Sequence, residues 1–534
     1  MTAFKNFGLF LEKNPKYLYG FIVILLFPAL LINLGLYPFN LDEATRAVVA
    51  LEMKFSGNYL IPTINGEFYY NKPPLFNWFQ LFFVNFTGSM EEWAFRMPVI
   101  VSLLGFGLTV FLTLRKETNS RIALLAAFAV ITSGRILFYD SFKGLIDISF
   151  SWIIYLNFWT IYNNFRKERF LRLFAFSWLL TALGFLLKGM PAIVFQGISL
   201  LVYFTSQKSF RKLFSIHHFT GALSFLVPVG LYLFLYNQEN SLSYYITNLW
   251  TESAKRTPIS NTLISTVKHF FAFPLNFIFY FLPWSVLVVV LFSGKVIALV
   301  KKEGYLVFLA IVFISNILVY WISPAIYPRY LFMFLPSFFA ILSFAYFKSG
   351  DNSPLKKYFL HPYFHLIALV VVLSCFSLGF ILDSSQFEHF GLKITVLCIL
   401  ALILSALYLR FSSERVFILI GFILLIRIGF NFFAFDDRLK SGIDEYQKTD
   451  TIAMARSTMG KPLYLYEDCP IHNSSTFYIE RERMEILARW RGEMTRGNLY
   501  IVPEKQIPEL PQHKVLTVFE TNLYFLKLAV IELQ

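Results

Sequence analysis

Nothing restricts this chain more than its recurring long stretches of apolar residues. A helix rises about 1.5 Å per residue and the hydrocarbon core of a bilayer is about 30 Å thick, so a run of roughly 17 to 25 apolar residues is long enough to cross it. Thirteen such runs fall near residues 17–36, 97–114, 122–138, 146–165, 173–187, 189–205, 219–236, 275–293, 304–322, 331–347, 364–382, 394–409 and 416–434. Only Lys188 and Gly189 separate the fifth from the sixth. Because lipid offers no partner for backbone polar groups, the predicted fold class is an all-α polytopic membrane protein. Composition agrees: of 534 residues, 57% are hydrophobic and only 15% charged, far from a soluble globular balance. The first run lacks a small-residue cleavage site and many spans follow it, so it reads as a retained helix rather than a signal peptide.

A net charge of +14 raises the question of nucleic acid, but the cations sit where membrane topology wants them. Lys5, Lys13 and Lys16 precede the first run, and the alternate loops "RKETNSR", "RKERFLR", "SQKSFRK", "GKVIALVKK", "KSGDNSPLKK" and "RFSSER" are basic, which assigns them to the cytoplasm. No basic patch interleaved with base-stacking aromatics appears in a polar region, so no nucleic-acid partner is expected. Thirteen spans from a cytoplasmic start put the loops 37–96 and 237–274 and the tail 435–534 on the outer side of the plasma (inner) membrane. The expected division is thus a membrane domain over 1–434 and an extracytoplasmic α/β domain over 435–534, with strand-like "PLYLY" and "GNLYIV" around a helical "ERERMEILARWRGEM". Three cysteines without metal-ligand spacing exclude a disulfide framework, and the absence of repeated halves speaks against a symmetric transporter.

The first outer loop carries the densest pattern. Ala44, Ala47, Val48, Leu51 and Phe55 recur at helical spacing from Glu43, predicting an interfacial amphipathic helix. After Pro73 and Pro74, "LFNWFQLFFVNF" predicts a helix of only about 18 Å, too short to span and suited to lie along the surface. Two such helices would form a platform for a substrate with a buried tail and a head group at the interface. Asn40 or Asp42 would suit a helix cap, Glu43 the positive helix end, and Lys72 a snorkelling lysine.

The order "LDEATRAVVALEMKFSGNYLIPTINGEFYYNKPPLFNWF", then "EEWAFRMP", resembles the bacterial lipid A 4-amino-4-deoxy-L-arabinose transferase family, relatives of the protein O-mannosyltransferases. The similarity is concentrated in about 80 residues, with fainter echoes to about residue 336. It implies a GT-C type glycosyltransferase that takes a hexosyl or pentosyl group from a polyprenyl-phosphate carrier on the outer face of the membrane. By motif position it makes Asp42 the active-site carboxylate with Glu43 beside it as a second catalytic acid, and Lys72 in the "Y…KPP" turn the contact to the carrier phosphate, with Tyr70 lining the cavity. A cation there would stabilise the departing phosphate, and Asp42 would accept or orient the acceptor's proton.

The resemblance extends to "YDSFKGLIDISF", where Asp147 matches the family aspartate as a catalytic acid and Asp140, seven residues earlier, lines the cavity, and to Lys188 in "LLKGMP" as a further donor-phosphate contact. In "WTESAKRTP", Glu252 and Arg256 match, with Arg256 a phosphate contact, while Ser253 replaces a family histidine. "YPRYLFMFLP" places Arg329 and Tyr330 at the same cavity, although an aromatic belt would also explain the tyrosine. Paired carboxylates leave a divalent cation open, and no other cofactor is expected. Arg427, within an apolar run, is unassigned.

The expected function is transfer of one sugar from a polyprenyl monophosphate to a lipid A-like glycolipid or other envelope acceptor by a monomer surrounded by membrane lipid. A protein O-glycosyltransferase, a flippase for the same donor, and a non-enzymatic scaffold are the rival readings.

Overall fold

The computed structural model describes residues 14–254, 262–350, 353–434, 443–521 and 526–534. Its membrane body begins with helix α1 (Lys16–Leu31), followed by α2 (Leu41–Ser56), a small hairpin of β1 (Thr63–Ile64) and β2 (Glu67–Phe68), and α3 (Leu75–Thr87). Helices α4 (Glu92–Glu117), α5 (Ser120–Ile131), α6 (Asp147–Arg166), α7 (Phe170–Lys188), α8 (Pro191–Ser206) and α9 (Ile216–Glu239) come next. Then follow α10 (Leu242–Ala254), α11 (Leu263–Tyr280), α12 (Gly294–Val300), α13 (Gly304–Trp321), α14 (Leu335–Lys348), α15 (His361–Ile381), α16 (Phe390–Arg410) and α17 (Arg415–Gly429).

Among the described residues, eight helices are long and apolar enough to cross a membrane, nine if one bent pair is a single span. The chain is therefore a multi-pass membrane protein. Against the thirteen expected runs, α1, α5 and α8 are apolar but shorter helices, and α6 is long enough but interrupted by Asn157, Asn163 and Asn164. The run expected as one span near 275–293 is instead broken: α11 and a 3-10 segment, Trp284–Phe292, meet at 119°. Pro283 stands at the break, where it cannot donate a helical hydrogen bond.

After the last membrane helix, α18 (Ile443–Ser457), β3 (Leu463–Tyr466), α19 (Asn473–Arg483), β4 (Arg489–Trp490), β5 (Leu499–Pro503), β6 (His513–Thr521) and β7 (Leu526–Leu533) build an α/β unit. Its five-stranded sheet has the order β4-β3-β5-β7-β6, with β3 parallel to both β4 and β5 and the β7 pairings antiparallel. Met454, Ala455 and Ile479 of the helices pack on Leu463, Leu465, Leu499 and Ile501 of one face. The expected helix "ERERMEILARWRGEM" is only half formed. α19 ends at Met484, which turns left-handed at φ +57°, and the chain then enters β4.

The first outer loop also differs from expectation in one respect. α2 is not a half-exposed interfacial helix: every residue from Ala47 to Met53 is buried, because α3 covers one side and α19 another. Phe477 packs edge-on against Phe39 at 4.7 Å and Phe95 at 5.3 Å, joining the sheet unit to the membrane body through one apolar cluster. α3 is short as expected, starting after Pro73-Pro74 and ending at Gly88.

Candidate active site

The acidic pair after α1 divides into two opposite environments. Extended Asn40 precedes α2, and its carbonyl accepts the Glu43 N–H, but its side chain makes no cap bond. Leu41 is held at φ +50°, a conformation that a branched side chain rarely adopts and that tends to mark functional turns. Asp42 therefore points outward and Glu43 inward, one residue apart on the first turn of a helix.

Glu43 is buried and fully engaged. Its Oε1 accepts from Arg96 Nε at 2.7 Å and from the Gly144 N–H at 2.6 Å, and its Oε2 accepts from Arg96 Nη2 at 3.1 Å. Arg96, from the "RMP" start of α4, is also buried and donates Nη1 to the Leu34 carbonyl at 2.7 Å. A Cβ at position 144 would stand 3.2 Å from the Phe95 carbonyl oxygen and 3.4 Å from Glu43 itself, so glycine lets this loop reach the carboxylate. Glu43 thus ties the segment leading into Asp147 to the helix that carries Asp42.

Asp42 joins a second network. Its side chain is 67% exposed, and Oδ2 accepts from Arg329 Nη2 at 2.5 Å. The same guanidinium reaches Asp147 Oδ2 through Nε at 3.3 Å, and Lys188 Nζ holds Asp147 Oδ1 at 2.5 Å. Lys188 is the last residue of α7, where the chain turns at Gly189 (φ +88°), and its ammonium lies 4.2 Å from the Tyr330 ring centroid. Four residues separated widely in sequence, Asp42, Asp147, Lys188 and Arg329, are therefore linked by direct ion pairs.

Lys72 belongs to the same cleft. Burial and the nearby charges of Lys188 and Arg46 pull its ammonium down to about 8, opposed by Asp147 and Glu252. It makes no hydrogen bond or ion pair among the described residues. Tyr70 lies further out. Asn240 Nδ2 donates to its hydroxyl at 3.2 Å and its ring meets Tyr244 edge-on at 4.6 Å, closing the first outer loop against the second. Glu252 reaches the cleft through its charge on Lys72; Arg256 and the Ser253 side chain lie outside the described residues.

Asp140 sits behind this network. It is buried, accepts from Arg135 Nε at 2.7 Å, and leaves Oδ1 without a partner. Burial pushes its carboxyl up to about 6, despite the opposing charge of Arg135.

Beside the cleft an apolar groove of about 470 Å³ opens between α3, α6 and α7, lined by Leu75, Trp78, Phe79, Phe82, Trp152 and Leu187. A second cavity of about 440 Å³, with Arg169, Arg172 and His217, lies at the opposite end of α7 and takes no part in the cleft. Among the described residues no three His, Cys, Asp or Glu side chains gather as a metal site.

Several partners escaped the sequence reading. Arg96 was legible only as part of a motif, and Arg46, whose guanidinium hydrogen-bonds Tyr69, stood on the helix face expected to meet water. Arg427 donates Nε to the Ala29 carbonyl at 3.1 Å and lies 5.0 Å from the Phe142 ring centroid, bracing α17 against α1.

Comparison with known proteins agrees with this architecture. Residues 71–232 match the family model described as dolichyl-phosphate-mannose-protein mannosyltransferase. An uncharacterized protein of Aquifex aeolicus is 26% identical over 357 residues, 65% of this chain and 66% of that protein. The undecaprenyl phosphate-alpha-4-amino-4-deoxy-L-arabinose arabinosyl transferase of Pectobacterium atrosepticum is 24% identical over 259 residues, 46% of this chain and 45% of that one. The matches thus span between about half and two thirds of the curated relatives' length. Crystal structures of ArnT from Cupriavidus metallidurans, bound to undecaprenyl phosphate and in the apo state, superpose with a TM-score of 0.70 over 97% of this chain and 98% of theirs, at 16% and 15% identity. The resemblance expected from the first outer loop is borne out, and the fold is the GT-C fold of that protein.

Proposed function

We propose that this chain is a glycosyltransferase of the extracytoplasmic membrane face, moving one sugar from a polyprenyl-phosphate carrier to a lipid A-like glycolipid or other envelope acceptor. The observation that carries the proposal is Lys72: an ammonium with no protein anion bound among the described residues, in a cleft with two carboxylates and two further cations, beside an apolar groove. A lipid phosphate supplies what this arrangement lacks, its head group meeting Lys72 and its tail the groove. The relative crystallised with undecaprenyl phosphate and the family model named for a dolichyl-phosphate donor both support a polyprenyl-phosphate donor.

In this reading Asp42 is the base. Arg329 occupies Oδ2, and Oδ1 has no partner among the described residues, so it is available to the acceptor hydroxyl. The hydroxyl oxygen bonds to the anomeric carbon as the carbon–oxygen bond to the phosphate breaks. The hydroxyl proton passes to Asp42, the bonding pair leaves with the phosphate oxygen, and the anomeric centre inverts. Lys72, with Lys188 and Arg329 nearby, stabilises the charge that grows on the phosphate. Asp147 orients Lys188 and Arg329, and Glu43 is a positioning residue rather than a reacting one. Arg256 and Glu252 extend the phosphate side, while Tyr70, Asp140 and Tyr330 line the cleft. Domain limits of 1–434 and 435–534, thirteen spans, an outward-facing sheet unit and a monomeric state complete the proposal.

Purified protein given a short-chain polyprenyl-phosphate sugar and a glycolipid should form glycosylated lipid and free polyprenyl phosphate. Asp42→Asn should lower turnover by about 100-fold or more with the fold intact. Intact donor crossing liposomes without cleavage would instead favour a flippase, and glycosylation of peptide alone a protein O-glycosyltransferase.

A further inference from the structure

At the end of α7 away from the cleft, two helices that are each long and apolar enough to cross a membrane, α7 and α9, begin side by side. Gly221 makes the pairing close: a Cβ there would stand 2.5 Å from Phe174 Cβ and 2.8 Å from the Phe174 carbonyl carbon. The next turn is fixed as well, because His218 stacks on Phe174 at 4.2 Å and its Nδ1 pairs with the Leu213 carbonyl at 2.6 Å, holding the 3-10 turn (Phe210–Phe214) that leads into α9. Lys212 from that turn lies over Phe170, 3.8 Å from the ring centroid. The corner is therefore preformed.

Between the two helix starts opens the cavity of about 440 Å³, lined by Glu168, Arg169, Phe170, Leu171, Arg172 and His217. Arg211 and Lys212 stand on the adjoining turn. Elsewhere at this end of the membrane body cations are answered by carboxylates, Arg166 by Glu117 at 2.6 Å and Arg121 by Glu414 at 2.9 Å. Here they are not. Among the described residues none of Arg169, Arg172, Arg211 and Lys212 is in an ion pair, and Glu168 is the one acidic side chain of the cavity wall. Like charges held together on a rigid backbone without a counter-ion attract an anion, and the positive ends of two helix dipoles add to the same field.

Depth decides which anion. Because α7 and α9 have the length of membrane spans, their starts lie at a bilayer boundary. Leu171 of the cavity wall and Phe214, Ile216 and Phe219 beside it are exposed, so an apolar skirt adjoins the cations. A free phosphate would use the cations alone, whereas a phospholipid uses both, its phosphate at the arginines and its acyl chains along the skirt. We propose that this corner is a binding site for an anionic glycerophospholipid, with Arg169 and Arg172 holding the phosphate and Arg211 and Lys212 supplying the surrounding positive field. Under the topology proposed above the lipid belongs to the cytoplasmic leaflet, opposite the sugar chemistry, and is neither donor nor acceptor. Seated there, it holds the foot of α7, whose other end places Lys188 in the cleft.

The test uses the full chain in a non-ionic detergent with three probes: a short-chain phosphatidylglycerol, the phosphatidylcholine with the same chains, and glycerol phosphate. Titrations compare the wild type with Arg169→Gln/Arg172→Gln, with the charge-keeping Arg169→Lys/Arg172→Lys, and with Arg115→Gln/Lys116→Gln, which removes the same charge from another exposed turn at this end. Phosphatidylglycerol should bind the wild type about tenfold or more tightly than either other probe, and the Gln pair at 169 and 172 should lose about tenfold or more of that affinity. The Lys pair should keep most of it, and the pair at 115 and 116 should change it by no more than about twofold. Melts without lipid check that each variant is folded. Phosphatidylcholine bound as tightly overturns the site, and glycerol phosphate bound as tightly overturns the lipid as its occupant. Unchanged binding in the Gln pair at 169 and 172, or an equal loss in the pair at 115 and 116, overturns it too, since bulk surface charge would then account for the binding. No sugar donor enters these titrations, so a failure of the glycosyltransferase reading leaves their outcome standing.

Discussion

Arg96 grips Glu43 by two hydrogen bonds, at 2.7 and 3.1 Å, across 53 positions of sequence and without contact with solvent. Removing one partner from such a pair leaves an uncompensated buried charge, at a cost of about 3–5 kcal/mol, whereas replacing both with apolar groups is often neutral. Glu43→Ala or Arg96→Ala should therefore lower the melting temperature sharply. Glu43→Leu/Arg96→Met should recover most of it without recovering turnover, because Gly144 has lost its anchor. Thermal melts and activity measured on the same samples check this.

Lys72 gives the proposed donor site a pH dependence with a defined sign. Its ammonium loses a proton near 8, so carrier binding should be level below that pH and weaken above it by up to about tenfold per pH unit. Bound phosphate favours the charged form, so the break moves to higher pH as the site fills. In the free protein the lowered value means that the unfolded chain holds more protons above about 8, and this group's contribution to stability rises with pH there. Titrating a short polyprenyl phosphate between pH 6 and 9.5 should show the break, and Lys72→Arg should abolish it.

Leu41 holds its left-handed conformation immediately before the proposed base. Leu41→Gly removes strain of about 1–3 kcal/mol from the folded state but also frees the unfolded chain, so the melting temperature should change little. The turn that aims Asp42 loses its restraint, and turnover should fall while donor affinity holds. A variant as active as the wild type would show that the strained turn contributes nothing to aiming the carboxylate.

The interface between sheet unit and platform carries a pair of buried carboxyls. Glu52 accepts from the Asn65 N–H at 2.5 Å and the Gly66 N–H at 3.2 Å, and its charge acts on Glu480, which accepts from the Leu487 N–H at 3.1 Å through Oε1 and leaves Oε2 without a hydrogen bond among the described residues. Burial, and then the Glu52 charge, hold the Glu480 carboxyl well above the usual range. A raised carboxyl pKa stabilises the fold fully below the unfolded value, about 4.3, and that contribution is lost as pH rises through the folded value. Glu480→Gln should be as stable as the wild type in acid and more stable at neutral and alkaline pH. Melting curves over that range decide it.

Local signals explain what could be read from the residues. The apolar runs, the proline start of α3 and the Lys188-Gly189 turn all depend on neighbours within a few positions. So does Asp42's place at the first turn of a helix. What could not be read depends on distant pairings. Glu43 was expected to share the chemistry because nothing nearby announces Arg96. Arg329 meets Asp42 across 287 positions, and no periodicity encodes that meeting. α2 looked amphipathic because Arg46 and Glu52 are charged; only a partner arriving from residue 473 onward buries that face. The break near Pro283 was visible as a residue but not as an angle.

The docking of α19 has a temporal side. Tyr478 accepts from the Phe39 N–H at 3.0 Å and donates to Glu92 at 2.8 Å, while Phe477 seals the ring cluster around Phe39. A ribosome makes these two aromatic residues after the membrane helices of the described residues, yet they roof the segment made just after the first. A nascent chain arrested after α17 would have every bilayer-crossing helix found among the described residues but no lid over the helix bearing Asp42. In the proposed reading, the helix bearing Asp42 gains its cover only once α19 has been made.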